Sequence, residues 1–216
     1  MNLFSKFFLI VFLLFFSLFL SCLQAGQIRF AILRNDTPIG SYTFNVSGSE
    51  SVRKLQAKMQ IEVKILGIAA YKATHQRSET WENSKLQSLT GSSVYNGKKY
   101  DYKLTSTPQG PALKINGQTQ ALAPLYFTFL PWAFDISENT EVDFISEKGK
   151  IRHIRIQNAG QETLEVGKKK MSLTHIIYHD KNGDWKRNAW YDAKGQLQIM
   201  RYQQGSAQIQ LIRETP

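Results

Sequence analysis

The chain holds one cysteine, Cys22, and four histidines. A lone cysteine cannot close an internal disulfide or build a multi-cysteine metal site. Once it is set aside, the fold has to hold on packing and hydrogen bonds, which a chain of this size can do. Proline is sparse, with six residues, and no H-E-x-x-H, G-x-S-x-G or G-x-x-x-x-G-K segment occurs. Carboxylates are present, but no two are placed by sequence as a hydrolytic pair. Beyond residue 25 no segment keeps a helical period, and none is an apolar run of the roughly 20 residues a membrane helix needs. Acidic residues are the minority, 17 against 27 Lys and Arg, for a formal net charge of +10. Most of that excess lies in residues 148–216. At 42% hydrophobic and 20% charged, the composition is globular and excludes a disordered or low-complexity chain.

The richest apolar stretch comes first. Lys6 is followed by Phe7–Leu20, where Ser17 is the only polar side chain. A cationic start, a short apolar core and then Ser21, Gln24 and Ala25 read as a secretory signal peptide over residues 1–25, ahead of a single domain over 26–216. Two processing routes stay open. Cleavage after Ala25 releases a soluble periplasmic protein, whereas Leu20-Ser21-Cys22 partly matches a lipobox and would make an outer-membrane lipoprotein through Cys22. A basic protein that is exported has little call for nucleic acid as a partner.

The body alternates with a period of two. Leu55, Ala57, Met59, Ile61, Val63 and Ile65 interleave with polar residues, which puts all six on one face of a strand and scatters them round a helix. Further strands are expected near 69–82, 85–95, 98–106, 140–145, 150–157, 162–166, 171–179, 185–191, 196–203 and 207–213. Asn96-Gly97, Asn116-Gly117, Asn182-Gly183 and Lys194-Gly195 mark tight reversals. The fold class is all-β: a single curved antiparallel sheet or open barrel of about a dozen strands, since a flat sheet of that size leaves long edges open. Residues 122–134, LAPLYFTFLPWAF, break the rhythm. They read as an apolar loop or short helix against the concave side, either a plug or a lid.

Several constellations could carry chemistry. His75, Arg77 and Glu79 share one strand face with Tyr71, Ala73 and Trp81. If that face turns inward the ionisable row lines a cavity; if outward it is solvated or paired across strands. With Tyr126, Phe129 and Trp132 of the apolar segment, Tyr71, His75, Arg77, Glu79 and Trp81 form the candidate ligand-binding set. No catalytic residue is assigned, although His75, Arg77 and Glu79 could act as acid, anion clamp and base in an enzyme. No metal or other cofactor is expected. His175 and His179 stand four apart on a strand, about 13 Å, too far for one zinc. Asp180-x-Asn182-x-Asp184 starts like a calcium loop, but Tyr191 occupies the position of the closing acid. Lys168, Lys169 and Lys170 form a basic tip that could meet an anionic membrane surface.

Taken in order, Ile39-Gly40, Glu79-x-Trp81 with Leu86, Asn96-Gly97-Lys98 and Trp190-Tyr191-Asp192-x-x-Gly195-x-Leu197 resemble a bacterial family of exported all-β proteins, a domain of unknown function. In architecture the chain is also similar to the curved-sheet lipoprotein carriers of the Lol system, and that likeness implies a periplasmic location and an apolar concave cavity. The expectation is a periplasmic protein that binds or carries an apolar or amphipathic envelope ligand. An envelope structural or assembly factor is the alternative, and an enzyme a more distant one.

Overall fold

The computed structural model describes residues 26–49, 51–123, 126–129, 140–167 and 169–214. The leader with Cys22, Trp132 and Lys168 lie outside them. The first eight strands are β1 (Gly26–Arg34), β2 (Thr37–Gly48), β3 (Val52–Ile65), β4 (Ile68–Glu82), β5 (Lys85–Tyr95), β6 (Lys98–Thr107), β7 (Gly110–Ile115) and β8 (Gln118–Ala121). Then come β9 (Tyr126–Phe127), β10 (Thr140–Ile145), β11 (Ile151–Val166), β12 (Lys169–Asp180), β13 (Lys186–Tyr191), β14 (Leu197–Gln204) and β15 (Ala207–Arg213). No helix occurs among the described residues.

All fifteen strands form one sheet, ordered β8 to β1, then β15 down to β9. The order follows the chain throughout, except that first and last strands pair in the middle, Phe30 opposite Arg213 and Ile32 opposite Leu211. Neighbours are antiparallel, apart from the short parallel pairing of β9 with β10. The seam therefore falls between β8 and β9, and among the described residues no strand pairing closes it into a barrel. The expected curved sheet is present with more strands than the dozen anticipated, because β7, β8 and β9 were not anticipated. The two segments expected at 150–157 and 162–166 are one strand, β11. Its pairing slips between Asn158 and Gln161, where Gly160 takes a φ of 93°, so the alternation breaks without the strand ending.

Curvature brings the inward residues of β1–β4 against those of β10–β15. Phe30, Tyr42, Phe44, Leu55 and Met59 pack there with Val142, Ile154, Ile156, Ile176 and Leu211. Phe127 and Phe129 enter the same core, so the described part of the apolar segment fills the concave side as extended chain. Phe129 stacks on Phe44 with ring centres 5.1 Å apart. A second core joins the two ends of the sheet: Trp81, Leu86, Leu89, Tyr102 and Leu113 meet Leu122 and Ile145. The turn between β10 and β11 completes the overlap. The Ser93 hydroxyl donates to the Glu147 carbonyl, Lys148 Nζ lies 4.2 Å from the Tyr95 ring centre, and a side chain at Gly149 would run into the Tyr102 ring.

Candidate ligand-binding site

On β4 the inward positions after Ala73 are His75, Arg77, Glu79 and Trp81, all buried. Their neighbours explain how charge fits there. Arg77 is flanked across the sheet by Ala57 on one side and Gly91 on the other, two small residues that leave room for a guanidinium. Gly91 has a second reason, since a Cβ there would lie inside the Tyr102 ring. Arg77 Nε stands 2.6 Å from Glu79 Oε1, with both side chains essentially inaccessible. Trp81 Nε1–H donates to Glu79 Oε2 at 2.7 Å. Burial opposes the guanidinium charge, but Tyr42, Glu79 and Tyr102 around it outweigh that and hold Arg77 charged.

His75 sits in a chain of contacts that ends at the sheet overlap. Its Nδ1 lies 2.9 Å from Ser93 Oγ. Ser93 spends its hydroxyl proton on the Glu147 carbonyl, so the tautomer that satisfies both contacts carries the imidazole proton on Nδ1. The ring stacks parallel to Tyr102 at 6.4 Å and edge-on to Tyr42 at 5.9 Å. Burial pushes the imidazole down to about 3, Arg77 adds to the effect, and Glu147 pulls the other way. His75 is neutral at any ordinary pH.

None of His75, Arg77 and Glu79 lines either of two hollows formed by described residues inside the curl. One, of about 290 Å³, is lined by Ile39, Val63, Ala70, Ala207 and Ile209, with Arg34 at its edge. The other, of about 320 Å³, is lined by Tyr42, Met59, Phe129, Glu147, Trp185 and Arg187, with Lys148 and Arg152 beside them. Ile32, Ile61, Tyr71, Tyr202 and Gln204 belong to both. Together they make a trough, aliphatic at one end and charged and aromatic at the other.

The charged end is built by strands from the C-terminal half. Arg187 continues the inward series of Trp185, Ala189 and Tyr191, and Arg152 that of Ile154 and Ile156. The Arg187 guanidinium carbon lies 4.6 Å from the Tyr202 ring centre, 4.9 Å from Trp185 and 5.2 Å from Phe144. Its buried Nε has no hydrogen-bond partner. Arg152 donates to Asp180 Oδ2 at 3.1 Å. Burial tends to raise the half-buried Glu147 carboxyl, but the Arg187 and Arg77 guanidiniums hold it below the usual carboxylate range. A desolvated arginine on aromatic faces binds anions through what remains of its fork.

Of the residues chosen from the sequence, Tyr71 and Phe129 therefore line the trough. Tyr126 is half-buried near the seam, with its hydroxyl donating to the Leu86 carbonyl at 3.4 Å. Trp81 belongs to the second core, and Trp132 lies outside the described residues. Arg152, Trp185, Arg187 and Tyr202 were not singled out as ligand contacts. The signal for Arg152 and Arg187 was there, a cation standing in an otherwise apolar inward series. His175 stacks on Trp190 at 4.6 Å and lies within 3.1 Å of Asn188 Oδ1, a packing role. Asp180 receives the Trp185 amide at 3.2 Å, as a turn residue does. Among the described residues no group of three or more His, Cys, Asp or Glu could hold a metal ion.

A family model described as a domain of unknown function (DUF6134) matches residues 30–214. The chain belongs to the DUF6134 family. No curated protein matches it. Among solved structures it is similar to the crystal structure of a beta-barrel-like protein of domain of unknown function DUF1849 from Brucella abortus. The two are 9% identical, with a TM-score of 0.63 over 89% of this chain and 97% of that one. At that identity the likeness shows the fold and carries no function across. The DUF6134 match and this neighbour agree on an all-β, beta-barrel-like domain of unknown function.

Proposed function

We propose that this DUF6134 protein is a periplasmic binding or carrier protein that holds an amphipathic envelope ligand in the trough. One observation carries the reading: the hollow changes along its length from Ile39, Val63, Ala207 and Ile209 to Glu147, Arg152 and Arg187. Apolar walls with a few convergent polar groups are the usual make-up of a ligand site. Here the apolar part of a ligand fits the aliphatic end, and its polar head faces Arg187. The leader-like first 25 residues support an exported location. An enzyme using His75, Arg77 and Glu79 gains nothing from the geometry, since the row is packed behind Tyr42 and Tyr102 and borders neither hollow.

The test is native mass spectrometry of protein recovered from the full-length gene after incubation with cell-envelope lipid extract. Adduct masses that fall away in Arg187→Met are expected. Only the bare polypeptide mass, at any lipid concentration, would overturn the reading.

A further inference from the structure

Two-residue hairpin turns with positive φ at both positions suit the twist of paired strands, and they favour Asn or Asp, followed by Gly. The turns at Asn35–Asp36, Asn83–Ser84, Asn96–Gly97 and Asn116–Gly117 all open on asparagine at φ 46° or 47°. The β3–β4 turn has the same geometry, with φ 51° and 81°, but opens on Leu66. Leucine has no local hydrogen bond to offset the crowding of the left-handed region. Nor is it there for burial, because Leu66 is 98% exposed. Ile68 follows at 74% exposure, and Ala69 and Ala70 are exposed too. Fold stability explains none of these choices. An outlier that the fold does not require points to function.

We propose that the β3–β4 tip docks the protein onto an anionic lipid surface, with Leu66 and Ile68 entering the boundary between headgroups and acyl chains. The spacing of charge fits a bilayer. Lys64 lies two residues below Leu66, about 7 Å along the strand. Interfacial elements bury their apolar face by roughly 5–10 Å, so the Lys64 ammonium comes to the level of the phosphates. Lys72 lies further up the stem, and Glu62, the carboxylate of that stem, is taken up by both Lys64 at 3.4 Å and Lys72 at 3.0 Å. The stem is therefore net positive where it meets lipid.

Position ties the tip to the hollow. Val63, Ala70 and Tyr71 of the hairpin stem line the aliphatic end of the trough, and Arg34 stands at its edge. The antiparallel order puts the Leu66 turn at the end of the sheet that also carries the β1–β2 and β14–β15 turns. The β11–β12 tip with Lys169 and Lys170 lies at the opposite end. A protruding single hairpin is also the wrong shape for a protein partner, which needs a broad complementary patch. The inference stands whether or not the trough holds a lipid, since Leu66 and Ile68 line neither hollow.

The experiment is co-sedimentation of protein from the full-length gene with phosphatidylcholine vesicles that contain phosphatidylglycerol, and with pure phosphatidylcholine vesicles. Binding to the anionic vesicles is expected. Leu66→Asn should lower the partition coefficient by about tenfold or more, the loss of one large apolar side chain from the bilayer. It should do so without loss of fold, because asparagine is the residue the sister turns use. Ile68→Thr, a strand-compatible change, should weaken binding in the same direction. Lys64→Gln should weaken binding to the anionic vesicles and leave the zwitterionic ones unaffected, and Lys170→Gln should change neither. No binding to anionic vesicles, full binding by Leu66→Asn, or loss on Lys170→Gln would each overturn the proposal. So would a Leu66-dependent dimer in sedimentation velocity, which would give the tip to a second copy.

Discussion

Lowering the pH from 7 to 5 should cost the protein about 2 kcal/mol of stability, and His75 should account for it. In an unfolded chain the imidazole titrates at 6.5, whereas in the fold it is pushed down to about 3, by burial first and by Arg77 second. Between those values the unfolded chain takes up a proton that the folded chain refuses. Stability is therefore full above 6.5, falls as the pH drops through the window, and levels off below about 3. A shift of one unit is worth 1.36 kcal/mol, so the interval from 6.5 to 5 gives about 2 kcal/mol. With the side chain 1% exposed, solvent screening takes little from this figure. Glu62, Glu141 and Glu147 are held below the ordinary carboxylate value of 4.5. What they contribute is intact above 4.5 and is lost only as the pH falls further, so the window from 7 to 5 belongs to histidine.

The assay is urea unfolding at pH 7 and pH 5, compared at equal slope, for the wild type and for His75→Gln. Glutamine keeps a donor toward Ser93 Oγ and cannot titrate. The wild-type midpoint should fall and the variant's should stay near its own pH 7 value. The other histidines, His153, His175 and His179, are less buried and are common to both proteins, so the difference between the two reads His75 alone. A wild-type midpoint that does not move, or an equal fall in His75→Gln, refutes the reasoning.

Glu79→Gln should cost about 3–5 kcal/mol, because it strands the Arg77 charge in the core, while the double change Arg77→Met, Glu79→Met should cost far less; equal losses in urea would show that the pair does not act as a pair. Phe129→Ala should cost about 3–5 kcal/mol as an aromatic truncation among Phe30, Tyr42 and Phe44. It should also lower lipid retention in native mass spectrometry, and an unchanged melting curve would mean that Phe129 does not fill the core.

Most of the sheet was legible because most of it alternates. The bounds expected for 85–95, 140–145 and 207–213 are those observed. The strands that escaped lack that signal. All of β8 is exposed, so Gln118–Ala121 has no apolar face to show. Pro111 sits inside β7, and β9 is two residues of an unbroken apolar run. The β3–β4 turn falls in the gap between the strand read to Ile65 and the next expected from 69, but it was not marked as a tight reversal because it opens on Leu66 and not on asparagine. At the site, the sequence placed His75, Arg77 and Glu79 on one face but held no sign of whether that face met the hollow. Reading the C-terminal cations as one basic block obscured Arg152 and Arg187, whose parity along their strands differs from that of their solvated neighbours.

The way the sheet closes explains why charge is concentrated where it is. A barrel closed by strand pairing would satisfy its last edges with backbone hydrogen bonds; here the ends of the sheet overlap instead, joined by Trp81, Leu113, Leu122 and Ile145 and by the β10–β11 turn. Apolar contact is not directional, so something else has to fix where the turn lands. Glu147 supplies direction at both ends of its residue: its carbonyl takes the Ser93 hydroxyl, and its carboxylate faces Arg187 across the trough, which holds it ionised. Ser93 in turn meets His75, and His75 stacks on the Tyr102 ring that covers Gly91 and abuts Gly149. Buried polar groups of this kind contribute little net stability but penalise every register that leaves them unpaired. The same residue thus sets the overlap and forms the polar wall of the hollow, so a head group that binds Arg187 has to share it with the carboxylate that holds the sheet's ends in place.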